Sequence, residues 1–228
     1  MILITTIGLM LGICIQIIGD ILISEQHILN IKKTLLSFLK QWWYQIENTK
    51  VLTLIPFTSC LITLILYSQY SLTINFFKYL FFMFMMILIG YIDFKTTYVY
   101  RITTLATCMG GLVFIILESL KSQIFPFDNL LGALIGFIVL TLIVIVTQGM
   151  GEGDIEISTL CGLFLGIKGS ILTLFLGIIF GGIGGAILLI KQSKGLKDEM
   201  AFGPYLVLGA MTSMLCGQQI FDVYLSLF

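Results

Sequence analysis

Long uninterrupted apolar runs limit what this chain can fold into more than any other feature. They lie at about 2–23, 51–68, 76–93, 102–119, 130–147, 169–190 and 204–220, and most approach the roughly 20 residues that a helix needs to cross a hydrocarbon layer. In lipid an unpaired backbone amide finds no partner, so each run must satisfy its own hydrogen bonds as a helix. With 58% hydrophobic and 11% charged residues and a mean hydropathy of +1.09, a chain of 228 residues has far more apolar surface than one soluble core could cover. The expected fold class is all-α: a polytopic membrane helix bundle of about eight transmembrane helices, N-terminus outside, forming one transmembrane domain over 1–228.

The eighth crossing is a weaker run from Ile155 to Ile167, where Gly166 and Gly169 flank a lone Lys168 and predict a tight turn at the opposite surface. Eight crossings place Lys32, Lys33, Lys40, Lys50, Lys95, Arg101, Lys191, Lys194 and Lys197 on the cytoplasmic side, leaving only Lys78, Lys121 and Lys168 outside. Basic residues accumulate in short cytoplasmic loops, so this division supports both the count and the direction. The apolar N-terminus has neither a basic leader nor a small-residue cleavage site and is expected to be a retained span. In the loop at about 24–50, Lys32, Lys33 and Lys40 are interleaved with Leu35, Leu36, Phe38, Leu39, Trp42 and Trp43, which predicts an amphipathic helix lying in the cytoplasmic interface.

A net charge of zero without any basic cluster excludes nucleic acid as an expected partner. Cys14, Cys60, Cys108, Cys161 and Cys216 are dispersed through apolar stretches with no CxxC pair, so neither zinc nor a disulfide framework is expected. Gly177, Gly181 and Gly185 repeat every four residues beside Gly182 and Gly184, a pattern that lets two helix backbones approach.

Carboxylates within spans are costly and tend to mark function. Glu25, Glu47, Glu118, Asp128, Asp198 and Glu199 fall in predicted loops or at their edges, where hydration explains them, and Asp20 and Asp222 read as end markers of their spans. Asp93 and Asp154 differ, because the topology sets both at the same cytoplasmic depth. Two carboxylates in one site can share a proton, activate a water and protonate a leaving amine, as peptide hydrolysis requires. Asp154 ends the run Gly149-Met150-Gly151-Glu152-Gly153-Asp154. Gly151 and Gly153 would let an extended substrate backbone lie beside the carboxylate, while a glycine-rich loop with an Asp helix cap is the plainer alternative.

Gly151-Glu152-Gly153-Asp154 resembles the GxGD signature of intramembrane aspartyl proteases. Gly90-Tyr91-Ile92-Asp93-Phe94-Lys95 is similar to the span end that carries the first catalytic Asp in prepilin peptidases (type IV leader peptidases). Ala201-Phe202-Gly203-Pro204-Tyr205-Leu206 resembles that family's segment at the start of its last span, and Gly8-Leu9-Met10-Leu11-Gly12 its N-terminal helix. The resemblance implies Asp93 and Asp154 as catalytic, with Gly151, Glu152, Gly153, Gly203 and Pro204 around the substrate. Gly203 and Pro204 would shape the loop beside the site. It also implies a prepilin or competence pseudopilin precursor as substrate and partner, in a bacterial inner membrane, with the site facing the cytoplasm.

The chain departs from that pattern in Val99-Tyr100-Arg101, where relatives carry an Ile-Pro-Asn-like turn, and in Glu156, where a basic residue is common. Glu152 and Glu156 are read as an acidic rim for a basic leader. The 24–50 loop has no cysteine where many relatives carry a zinc domain, so zinc is not expected, and S-adenosylmethionine would be needed only if methyl transfer is retained. Three other classes stay open: a GxGD peptidase with another membrane substrate such as a preflagellin, a small proton- or cation-coupled transporter using the Asp pair, and a silent assembly factor.

Overall fold

The computed structural model describes residues 2–27, 54–147, 150–190 and 201–226. Most of the predicted interfacial loop, Gly149 and the basic stretch 191–200 lie outside them. Every described element is a helix: α1 (Ile2–His27), α2 (Leu54–Tyr70), α3 (Ile74–Thr96), α4 (Arg101–Ser122), α5 (Phe127–Thr147), α6 (Glu152–Ile190) and α7 (Gly203–Ser226). Six are long and apolar enough to cross a membrane, and α2 is a shorter apolar helix. The polytopic helical bundle read from hydropathy is the fold observed. Its helices form two compact units, Met1–Leu72 and Thr73–Phe228.

In the first unit α1 and α2 run antiparallel. Gly8 faces Cys60 and Gly12 faces Pro56, so closely that a Cβ at Gly8 would fall 2.7 Å from the Cys60 Cα. Ser59 Oγ donates to the Gly8 carbonyl at 2.8 Å. Helices in lipid gain no hydrophobic free energy from meeting each other, so close backbone contact and interhelical hydrogen bonds hold the pair.

The second unit is organised by α6. At about 1.5 Å per residue its 39 residues would extend nearly twice the thickness of a hydrocarbon core. The helix breaks at Gly166, whose φ of 72° and ψ of −171° suit glycine alone. Before the break α6 runs antiparallel to α5: Gly136 meets Ser158, and Gly132 meets Gly162 and Gly166. Asn129 Nδ2 donates to the carbonyl of Leu163 at 2.8 Å and also reaches that of Phe164, satisfying acceptors that the break leaves without their helical donors. After the break α6 runs antiparallel to α7. Ser213 Oγ donates to the Gly169 carbonyl, Gly209 meets Thr173 and Gly177, and Gly181 meets Phe202.

Helix α3 fixes the relation of the two arms. It is antiparallel to α7, through Gly90 against Val207 and Asp93 against Gly203. It is also antiparallel to the first arm, stacking Phe82 on Phe164 at 4.8 Å and facing Asp154 with Asp93. The first arm and α7 are therefore parallel, and the second arm, opposed to α7, must run back along the first. The turn predicted around Lys168 is a reversal centred on Gly166. Gly177 and Gly181 serve the predicted close packing against α7, whereas Gly182 borders open space.

One expectation needs correction. Glu118, read among the acids in predicted loops or at their edges that hydration explains, lies within α4 and meets Lys78, which is buried in α3. Lys78 Nζ donates to both Glu118 oxygens at 3.0 Å, with side-chain exposures of 6% for Lys78 and 22% for Glu118. Breaking a fully buried pair from one side costs roughly 3–5 kcal/mol, and replacing both partners by apolar groups costs far less. Partial exposure of Glu118 reduces the first figure here. Lys78→Met should therefore lower the thermal unfolding midpoint in detergent, and adding Glu118→Leu should recover most of the loss; additive losses would contradict the pairing.

Candidate active site

Asp93 and Asp154 stand 61 positions apart in the chain and meet at one end of the second unit. Asp93 lies four residues before Thr97, where α3 stops. The Thr97 amide donates to the Asp93 carbonyl at 2.8 Å while Thr97 takes a left-handed conformation, φ 53°, an unusual state for a β-branched residue. This turns the chain sharply into α4 and leaves the Asp93 side chain pointing inward, buried.

Asp154 occupies the first turn of α6. Its carboxyl Oδ2 accepts from the Gly151 amide at 3.2 Å, and its own amide donates to the Gly151 carbonyl at 3.1 Å. The arrangement is one half of a capping box, in which a carboxylate three residues into a helix reaches back to the amide that precedes it. The plainer alternative, an Asp helping to start a helix, is thus true of this residue. The same side chain is buried and feels the charge of Asp93, so capping fixes the orientation in which it faces its partner.

The third component is α7. Gly203 and Pro204 open this helix, with the Phe202 carbonyl accepting from the Tyr205 and Leu206 amides; proline is well placed there because a first-turn amide needs no helical acceptor. A Cβ on Gly203 would collide with Asp93 Oδ2 and fall 3.0 Å from Ile157 Cδ1. The Gly203 amide approaches the Asp93 carboxyl, yet Oδ2 itself is buried and receives no hydrogen bond from any described residue. Buried polar oxygens ordinarily take a partner from the protein or from water.

Each expected substrate-side residue has a definite place. Gly151 is exposed, and a Cβ there would meet nothing closer than Gly153 N at 3.9 Å and Asp154 Oδ2 at 4.0 Å, so its backbone is open to an approaching chain. Glu152 is exposed beside it. Gly153 is different: a Cβ would fall 2.6 Å from Val99 Cβ and Cγ2, so the space belongs to the α3–α4 connector. Glu156 is engaged rather than free, accepting from Thr104 Oγ1 at 2.6 Å. Neither Val99 nor Thr104 stood out in the sequence; the departure of Val99-Tyr100-Arg101 from the family pattern was the available signal. Among the described residues no three His, Cys, Asp or Glu side chains cluster as metal ligands would.

Residues 80–186 match the model of the type IV leader peptidase family, a span that holds Asp93, Asp154 and the α6 reversal. In that region the chain is similar to the type IV leader peptidase family. The chain is also similar to proteins named prepilin leader peptidase/N-methyltransferase. The one from Bacillus subtilis (strain 168) is 28% identical over 102 residues, 44% of this chain and 41% of the relative. Those of Stutzerimonas stutzeri and Pseudomonas aeruginosa are 33% and 34% identical over 104 residues, 43% of this chain and 36% of each relative. The similarity thus spans well under half of these relatives' lengths. No solved structure matches the chain significantly.

Around the two carboxyl groups the glycines differ in what a methyl group would meet. Gly153→Ala should destabilise the protein by about 1–3 kcal/mol, as overpacking does, and Gly203→Ala, in the adjoining helix, by a similar amount. Gly151→Ala should stay within about 0.5 kcal/mol. Chemical unfolding of the three variants checks the order; equal effects would mean that Val99 and Asp93 do not occupy those spaces.

Proposed function

We propose that this chain is a membrane-embedded aspartyl endopeptidase that removes the basic leader of type IV prepilin-like or competence pseudopilin precursors at the cytoplasmic face of a bacterial inner membrane. The observation that supports this reading is that two buried carboxylates, Asp93 near the end of α3 and Asp154 at the start of α6, lie close enough to interact, in a stretch that matches the leader peptidase model.

The chemistry follows from the arrangement. A water held between the carboxyl groups loses a proton to one of them as its oxygen attacks the scissile carbonyl carbon. The other carboxyl stabilises the oxygen of the tetrahedral intermediate by donating to it. The proton gained from water then passes to the leaving amine as the C–N bond breaks. Asp93 Oδ2, to which no described residue donates, is available to that water or to the substrate, and the open backbone at Gly151 offers an edge along which an extended segment can lie. Burial of both groups keeps bulk water from competing with the one that reacts.

The relatives are named for methyl transfer as well as for leader cleavage, and nothing in the described site assigns methyl transfer to these residues. The peptidase half alone is proposed.

Cleavage of a prepilin by the purified protein in lipid tests the reading. Asp93→Asn and Asp154→Asn should each reduce cleavage by at least about a thousandfold, the scale on which removing one member of a catalytic pair acts, with insertion and unfolding midpoint close to wild type. Full activity in either variant would overturn it.

A further inference from the structure

Glu156 lies one residue beyond the Asp154 backbone neighbour Ile155 and faces away from the carboxyl pair, toward α4. Residues 153 and 156 are three apart and share a helix face, and both are met by the same short segment: Gly153 by Val99 and Glu156 by Thr104. The connector from Thr97 to Tyr100 and the first turn of α4 therefore fasten to the first turn of α6 at two points.

The polar fastening is the stronger candidate for control. The Thr104 hydroxyl has one proton and two acceptors within reach, the Glu156 carboxylate at 2.6 Å and the Arg101 carbonyl at 3.0 Å. A short contact to a charged oxygen is the stronger of the two and takes the proton. Thr104 is buried, whereas the Glu156 side chain is 37% exposed, so the contact lies at the edge of the packed helices. The nearby cation contributes little: Arg101 Nε stands 3.9 Å from Glu156 Oε1, with its side chain 81% exposed, the situation in which ion pairs are weak. The engagement of Glu156 also argues against a free charge awaiting a basic leader.

Resting on the peptidase reading above, we propose that Glu156 is a positioning residue: through Thr104 it holds the start of α4 against the start of α6 and so fixes Asp154 relative to Asp93. Placement errors of about 1 Å can cost a factor of a hundred in rate, so a fastening two residues from Asp154 has leverage on chemistry without touching substrate. The carboxylate is needed as a hydrogen-bond acceptor, which an amide oxygen also supplies.

Two measurements on the full chain test this. In prepilin cleavage, Glu156→Ala and Thr104→Val should lower kcat by about tenfold or more with KM little changed, while Glu156→Gln, Thr104→Ser and Arg101→Ala stay near wild type. A rise in KM for Glu156→Gln with Thr104→Val silent would overturn the proposal in favour of charge recognition of the leader. Unchanged kcat in Glu156→Ala and Thr104→Val would overturn it outright.

The second measurement needs no activity. Spin labels at the exposed positions 94 and 152, in a background with the five native cysteines replaced, report the distance between the ends of α3 and α6. The distribution should broaden in Glu156→Ala and Thr104→Val and remain narrow in Glu156→Gln and Thr104→Ser; identical distributions in all four would overturn the proposal. A wild-type protein that cleaves no prepilin would sink the peptidase reading, and the spin-label result would still decide the fastening.

Discussion

Lipid gives helices no reason to associate through apolar surface, so the second unit depends on how closely its backbones can approach. Gly132 and Gly136 against Gly162 and Ser158 draw the first arm of α6 onto α5, and Gly177, Gly181 and Gly209 draw the second arm onto α7. These two close packings are compatible only because α6 reverses at Gly166. The reversal in turn needs a residue tolerant of positive φ and a donor for the freed carbonyls, which Asn129 provides. With the arms so placed, the start of α6 and the start of α7 come to the same end of the unit as the end of α3, and Asp154, Gly203 and Asp93 meet.

The site is thus assembled from helix ends, where a membrane protein can place polar groups at least expense. Asp154 takes its orientation from a capping contact with Gly151, Asp93 from the left-handed stop at Thr97, and the gap between Asp93 and α7 exists because position 203 has no side chain. Among the described residues none donates to Asp93 Oδ2, which faces into this arrangement.

Much of this was legible in the residues, and the reason is the solvent. Lipid demands long apolar helices, so span positions could be read to within a few residues, and charged groups in spans stand out against that background, which singled out Asp93 and Asp154. The glycines flanking Lys168 announced the reversal. What escaped was everything that depends on rotation about a helix axis. Lys78 and Glu118 are 40 positions apart and looked like separate edge charges, although they point at one another across α3 and α4. Asn129 carried no sign that it would cap a helix in a different part of the chain. Gly153, read as an opening for substrate, is filled by Val99, and Glu156, read as part of a rim, is held by Thr104. Sequence spacing identifies which residues share a helix face, but the neighbour that the face meets is decided by packing.

The central claim is that the ends of α3 and α6 bring positions 93 and 154 together while Gly166 lies at the opposite end. Cysteines placed pairwise at these positions in membranes, treated with a short bifunctional thiol reagent and mapped by peptide mass spectrometry, test it directly. The account predicts a 93–154 link and no 93–166 link. A 93–166 link, or failure of 93 and 154 to join in protein that is inserted and folded, would contradict it.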